Sequence, residues 1–221
     1  MNIYRYFLIF MFYSILGWLM EVTLTFVRNK KFVNRGFLIG PYCPIYGSGV
    51  LLIMFILKRY LDRPLGLFCM AVIICSILEY LTSYFMEKIF KARWWDYSNK
   101  KFNINGRICL EYAMFFGVGG TIIMYFINPM IINVMDTTSS TVIKVLAITL
   151  FIIYIVDNII SYVVMFKFRS TVGKLTKGDN TEEITKIIKD KFKSLSWLNK
   201  RLTEAFPNLK AYTKKIKQLK K

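Results

Sequence analysis

Residues 6–27 read YFLIFMFYSILGWLMEVTLTFV, an apolar stretch broken by a single charge, Glu21. A bilayer core about 30 Å thick takes about 20 mainly apolar residues of helix, so this stretch predicts a membrane span. A cleaved leader would need a basic start and a small-residue cleavage site, whereas Ile15-Leu16-Gly17-Trp18-Leu19-Met20-Glu21 carries the apolar run onward. We therefore read it as a retained first helix. Four further stretches meet the same criterion, at 44–61, 65–86, 108–132 and 142–167. The expected fold class is all-α: a polytopic membrane protein of about five transmembrane helices. The second span is the shortest and opens with Pro44, which suits a first helical turn. Asn128-Pro129 in the fourth should kink or end that helix near the outer surface.

Composition agrees, because charge and hydrophobicity are segregated. The chain is 55% hydrophobic and 17% aromatic, yet carries 31 Lys and Arg against 13 Asp and Glu, for a net charge of +18. Fifteen of the basic residues lie beyond Phe168, which divides a membrane domain, 1–168, from a basic tail, 169–221. Histidine is absent, which removes the commonest general base and every Ser-His or Cys-His pair. Cys43, Cys69, Cys75 and Cys109 lack C-x-x-C spacing, so neither a disulfide nor a metal site is expected, and no cofactor is. No residue is assigned as catalytic.

Basic residues favour the cytoplasmic side of membrane proteins. The first and third connections carry four and six, and the tail carries fifteen. The N-terminus and the second and fourth connections carry one, three and one, a bias of 25 to 5. The expected topology is N-terminus outside and C-terminus in the cytoplasm of a plasma membrane.

The two halves of the membrane domain echo each other. Ser14-Ile15-Leu16 recurs as Ser76-Ile77-Leu78, and Asn34-Arg35-Gly36-Phe37-Leu38 as Asn105-Gly106-Arg107-Ile108-Cys109-Leu110. Gly47-Ser48-Gly49-Val50 and the apolar run after it recur as Gly117-Val118-Gly119-Gly120. Chance matching in a small apolar vocabulary is the alternative, but three matches in one order favour a duplicated hairpin, repeated in parallel. The second copy holds about eight extra residues near Trp94-Trp95-Asp96-Tyr97-Ser98.

Glu21, Glu79, Glu111 and Asp157 fall inside the expected spans, all in the cytoplasmic half. Such groups cost about 2.5–3.5 kcal/mol at mid-membrane and should face protein, water or a counter-charge. Arg35 and Arg107, from the matched loops, are natural partners. Asp157-Asn158, followed by Ser161, is the deepest polar group and the first candidate for a binding site. Ser14, Gly17, Trp18 and Glu21 share one helix face. Two readings fit: a carboxylate-lined cavity open to the cytoplasm, or interface-level residues that snorkel or bond between helices. Likewise Gly40-Pro41-Tyr42-Cys43-Pro44-Ile45-Tyr46-Gly47 is either a re-entrant gate or a rigid turn, and Trp94-Trp95-Asp96-Tyr97 an interfacial anchor before a binding lip.

In the tail, Ile184, Ile188, Phe192, Leu195, Leu198, Leu202 and Phe206 recur at spacings of four and three, the stripe of an amphipathic helix ended by Pro207. A helix lying on the anionic inner leaflet is preferred to a docking helix for a partner. The tethered tail lacks any nucleic-acid motif, so nucleic acid is not an expected partner.

Taken in order, Tyr13-Ser14, Gly17-Trp18 and Glu21, then Asn34 through Pro41 and Cys43 through Gly47, then Trp94 through Ser98, Phe102-Asn103 and Gly106 through Leu110, form a distinctive set. It resembles the bacterial membrane family of ABC-transporter type IV, or CmpB-like, permeases over residues 10–165, with the tail outside. The resemblance implies a permease. The sequence has no G-x-x-x-x-G-K-[ST] loop, and Gly173-Lys174 lacks its upstream glycine and following hydroxyl, so ATP hydrolysis would need a separate ATPase subunit. Five helices are few for a translocation path, so an oligomer is expected. Three functions are carried in this order: a permease-like subunit with an acidic cavity, a non-catalytic assembly or regulatory protein, and a membrane enzyme acting on a lipid phosphate.

Overall fold

The computed structural model describes residues 1–175, 196–206 and 210–211. Its helices follow the apolar stretches: α1 (Ile3–Asn29), α2 (Pro44–Leu57), α3 (Pro64–Phe90), α4 (Leu110–Thr137), α5 (Ser140–Leu175) and α6 (Trp197–Ala205). Among the described residues, α1, α3, α4 and α5 are long and apolar enough to cross a membrane. At 1.5 Å per residue, the 27 residues of α1 and of α3 reach about 40 Å. The 14 residues of α2 reach only about 21 Å, short of a full crossing. A 3₁₀ turn at Lys58–Tyr60 replaces its expected last turn, where Lys58 and Arg59 end the apolar run. So the second expected span is a half-length helix.

The fourth span departs in the other direction. Pro129 neither ends nor breaks it. A π turn at Ile123–Ile127 absorbs the missing N–H and the ring clash, and the helix continues to Thr137.

α1 packs on α2, and α3 on α4. Matched glycines set both approaches. A Cβ on Gly47 would lie 2.3 Å from the Phe10 carbonyl oxygen, and one on Gly117 would lie 2.6 Å from the Phe68 and Val72 side chains. Gly47 and Gly117 correspond in the sequence echo, as Phe10 and Val72 do at the offset of the Ser-Ile-Leu match. Both α1 and α3 also end on a lysine in the left-handed conformation, Lys30 and Lys91. Each pair thus turns with the same local geometry.

Ile9, Tyr13 and Val50 pack with Ile123 and Ile127, joining α1, α2 and α4. Leu8, Ile143 and Ala147 bring α5 onto α1. A ring of large apolar side chains stays exposed on the long helices, including Leu24, Ile77, Phe115 and Ile159, as lipid contact requires. The connections after α1 and α3 gather at one end of the bundle, where Phe37 and Trp94 meet edge to face at 5.6 Å. The second of these holds short strands β1 (Ala92–Arg93), β2 (Asn103–Ile104) and β3 (Ile108–Cys109), with β2 and β3 forming a hairpin. A fourth, β4 (Lys210–Ala211), pairs antiparallel with β1.

α6 docks at this same end. Leu202 joins Phe90, Trp94 and Met165 in one buried cluster, and Phe206 packs on Trp94 at 4.5 Å. Of the expected tail stripe, Leu198, Leu202 and Phe206 are described, and Ile184, Ile188, Phe192 and Leu195 lie outside the described residues.

Candidate functional site: a carboxylate pair at the basic end of the bundle

Helical spacing puts Trp18 and Glu21 on neighbouring positions of the α1 face that meets α2 and its preceding loop. Gly17 makes room: a Cβ there would fall 2.3 Å from the Tyr46 ring. Tyr46 therefore lies flat across α1, and its hydroxyl donates to Glu21 Oε1 at 2.7 Å. The second oxygen of Glu21 faces the Arg35 guanidinium at 3.5 Å. Trp18 Nε1 donates to Asn34 Oδ1 at 2.7 Å, and the Asn34 amide donates to the Ile39 carbonyl, which braces the loop carrying Arg35.

Glu79 on α3 completes the pair. It is 7% exposed and accepts from the Tyr97 hydroxyl at 3.1 Å through Oε1. Its Oε2 is enclosed and has no hydrogen-bond partner among the described residues, as is Ser76 Oγ one turn away. Glu21 is close enough to act electrostatically on Glu79. Burial first, and then the Glu79 carboxylate, push the Tyr97 hydroxyl well above the ordinary tyrosine range, so it remains a donor. The arrangement is a buried Glu79 and a half-buried Glu21, each accepting from a phenol, gathered where α1, α2 and α3 meet the connection after α3, with Arg35 on the open side.

The other expected site residues are placed elsewhere. Asp157 accepts from the Ile39 and Gly40 backbone N–H groups at 2.9 and 2.7 Å, from the Tyr42 hydroxyl at 2.5 Å and from Ser161 Oγ at 2.9 Å. Those four donors fill a carboxylate's capacity, so Asp157 fastens the loop to α5. Asn158 donates to the Tyr154 carbonyl of its own helix. Glu111 is exposed and pairs with Lys100 at 2.8 Å. Arg107 meets Glu87 at 3.0 Å, donates to Ser83 Oγ at 3.2 Å and lies over the Tyr80 and Tyr84 rings. Arg93 shares the same Glu87 oxygen at 3.0 Å. Glu87, Tyr46 and Tyr97 had no assigned part in the sequence reading, although Tyr46 and Tyr97 stand in the motif loops that drew attention.

A surface depression at the far end of α2, lined by Phe55, Ile56, Lys58 and Arg59, holds none of these groups. Glu79 is the enclosed member of the carboxylate pair, whereas the Glu21 side chain keeps 31% of its surface exposed.

Apolar helices of membrane-crossing length around a buried polar cluster define a polytopic helical membrane protein. The chain belongs to the family described as "Putative ABC-transporter type IV", which matches residues 8–162. Its membership makes it a membrane transport-related protein. No solved structure matches the chain.

Proposed function

We propose that the chain is a permease-like subunit whose Glu21–Glu79 pair binds a cation or a cationic solute within the membrane. The observation that carries this reading is Glu79: a carboxylate 93% enclosed in a spanning helix, with one oxygen left without a partner among the described residues. Such a group is costly in a bilayer and marks ion and substrate pathways. Hydroxyl and carboxylate oxygens suit a hard cation or an ammonium group. The 25-to-5 bias of basic residues supports a site near the cytoplasmic face of a plasma membrane, with the N-terminus outside. A separate ATPase would dock on the basic inner connections, and a second copy or partner would complete the path.

Uptake of rubidium, sodium and putrescine into proteoliposomes holding the full chain and any co-purifying ATPase tests the reading. Glu79→Gln and Glu21→Gln should each lower the transported probe's rate at least tenfold. Unchanged uptake in both variants rejects the site.

The docking of α6 favours a second reading, a regulatory protein that works through its tail. Deleting residues 180–221 would then abolish function, while the two glutamine variants would remain active.

A further inference from the structure

The end of the bundle that carries α6 contains a second group of buried charges, of the opposite sign. Arg201 is 8% exposed, and Nη2 reaches only the Gly36 and Phe37 carbonyls, at 3.4 and 3.2 Å. Its Nε and Nη1 are enclosed without a partner among the described residues. Arg35 is in the same condition at one position. Its Nη1 donates to the Ala205 carbonyl and Nη2 faces Glu21, but the enclosed Nε has no partner among the described residues.

These groups converge. Arg201 donates to the Gly36 carbonyl, and a Cβ on Gly36 would lie 3.1 Å from Cys43 Sγ, so the arginine borders the residue at the N-terminus of α2. Both guanidinium charges act on the Cys43 thiol, against the stronger opposing pull of the Glu21 carboxylate that Arg35 pairs with. The positive end of that 14-residue helix adds to the two arginines. No carboxylate offsets Arg201 within ion-pair distance among the described residues. Asp157 acts on it from further away, but its oxygens already accept four hydrogen bonds. Burial accordingly pulls the Arg201 pKa down, against the opposing pull of Asp157 and Cys43. A buried guanidinium with two unused donor nitrogens is costly unless an anion meets it. Phosphate is the anion whose geometry fits forked N–H donors beside a helix N-terminus.

We propose that Arg35 and Arg201 hold a phosphate group against the N-terminus of α2, from an anionic lipid headgroup or from a small phosphate compound. The site adjoins the Glu21–Glu79 pair and takes a ligand of opposite charge. Arg35 touches both, bonded to Glu21 on one side and to the α6 backbone on the other. Bound phosphate would complete the contact between the tail and the membrane domain.

The test uses the full chain. Native mass spectrometry from mixed micelles compares retention of phosphatidylglycerol and phosphatidylcholine, and thermal unfolding in detergent reads the shift produced by inorganic phosphate against chloride at equal ionic strength. Phosphatidylglycerol should be retained at least tenfold better than phosphatidylcholine, or inorganic phosphate should raise Tm. The first result identifies a headgroup and the second a small phosphate, and either supports the site. Arg201→Gln should remove the preference, whereas the exposed Lys200→Gln should keep it. Should Arg201→Gln fail to fold, Arg201→Lys serves in its place: it keeps the charge, loses the fork and should weaken binding severalfold. A wild-type chain indifferent to both probes overturns the proposal. So does equal loss in the Arg201 and Lys200 variants. Neither result depends on uptake by the carboxylate pair.

Discussion

The Tyr42 hydroxyl and the Asp157 carboxylate meet at 2.5 Å, and through that contact the connection between α1 and α2 is fixed to α5. The same carboxylate takes both backbone N–H groups of Ile39 and Gly40. Removing it would strand two amides and two hydroxyls where water cannot replace the bond. Each stranded group costs about 1–3 kcal/mol, so Asp157→Ala should destabilise the protein by about 3 kcal/mol or more. Asp157→Asn should also lower Tm, because its amide would present N–H groups to donors. Thermal unfolding in detergent checks both. Uptake per folded molecule should be unchanged, since this carboxylate has no free oxygen to offer a solute.

Tyr13 on α1 donates to Asn128 on α4 at 2.6 Å, and both are buried. Hydrogen bonds between membrane helices are worth about 0.6 kcal/mol on average, with a maximum near 1.7. Tyr13→Phe should therefore cost about 1 kcal/mol in denaturant-induced unfolding. A loss as large as that expected for Asp157→Ala would show that the tyrosine has a further role.

The close approach of α1 and α2 gives a sharper contrast between glycines. A Cβ on Gly47 would meet a backbone oxygen, which cannot swing aside, whereas one on Gly119 meets nothing within 4 Å. Gly47→Ala should force the helices apart at a cost of about 1–3 kcal/mol. Gly119→Ala should be neutral or stabilising, since alanine is the better helix former by about 1 kcal/mol. Equal Tm values for the two variants would contradict this packing.

The membrane class and the places of the long helices were legible because 20-residue apolar runs have few alternative uses. Residue-level length was less so. Hydropathy carries the second span through Lys58 and Arg59, where the helix in fact ends, and at Pro129, where a kink or an end is expected, the helix does not end but passes through a π turn. The site was half legible. Glu21, Arg35 and Trp18 share a short stretch of chain, so their meeting followed from helical spacing and a nearby loop. Asp157 drew the strongest expectation from its depth, but depth does not show whether a carboxylate's oxygens are already taken. Glu79's partner Tyr97 lies within the 19-residue connection between α3 and α4, and Glu87's claim on Arg107 depends on how that connection folds. Neither contact has a periodicity to show it.

α6 makes its position testable through one side chain. Leu202 is 2% exposed in the cluster with Phe90, Trp94 and Met165. Leu202→Ala should cost that contact about 2–5 kcal/mol, more than a nine-residue helix can supply by itself. Hydrogen exchange over 197–206 should rise to the level of an undocked segment, while α1 to α5 keep their protection. Protection unchanged at 197–206 would mean that other contacts hold the helix in place.

Glu79 and Asp157 should respond to the same substitution with opposite signs. Both are enclosed carboxylates in long helices, at 7% and 8% exposure. Asp157 has every oxygen engaged, so neutralising it removes bonds that hold the fold. Glu79 has one oxygen without a partner among the described residues and a second carboxylate nearby. Its charge is a cost to the folded state, carried for binding. Glu79→Gln keeps the shape and removes that charge. A gain of about 1 kcal/mol would raise Tm by about 2–4 °C in a chain of this size, with uptake lost. If Glu79→Gln instead lowers Tm as Asp157→Asn does, Glu79 is a structural carboxylate, and the binding site must be sought away from α3.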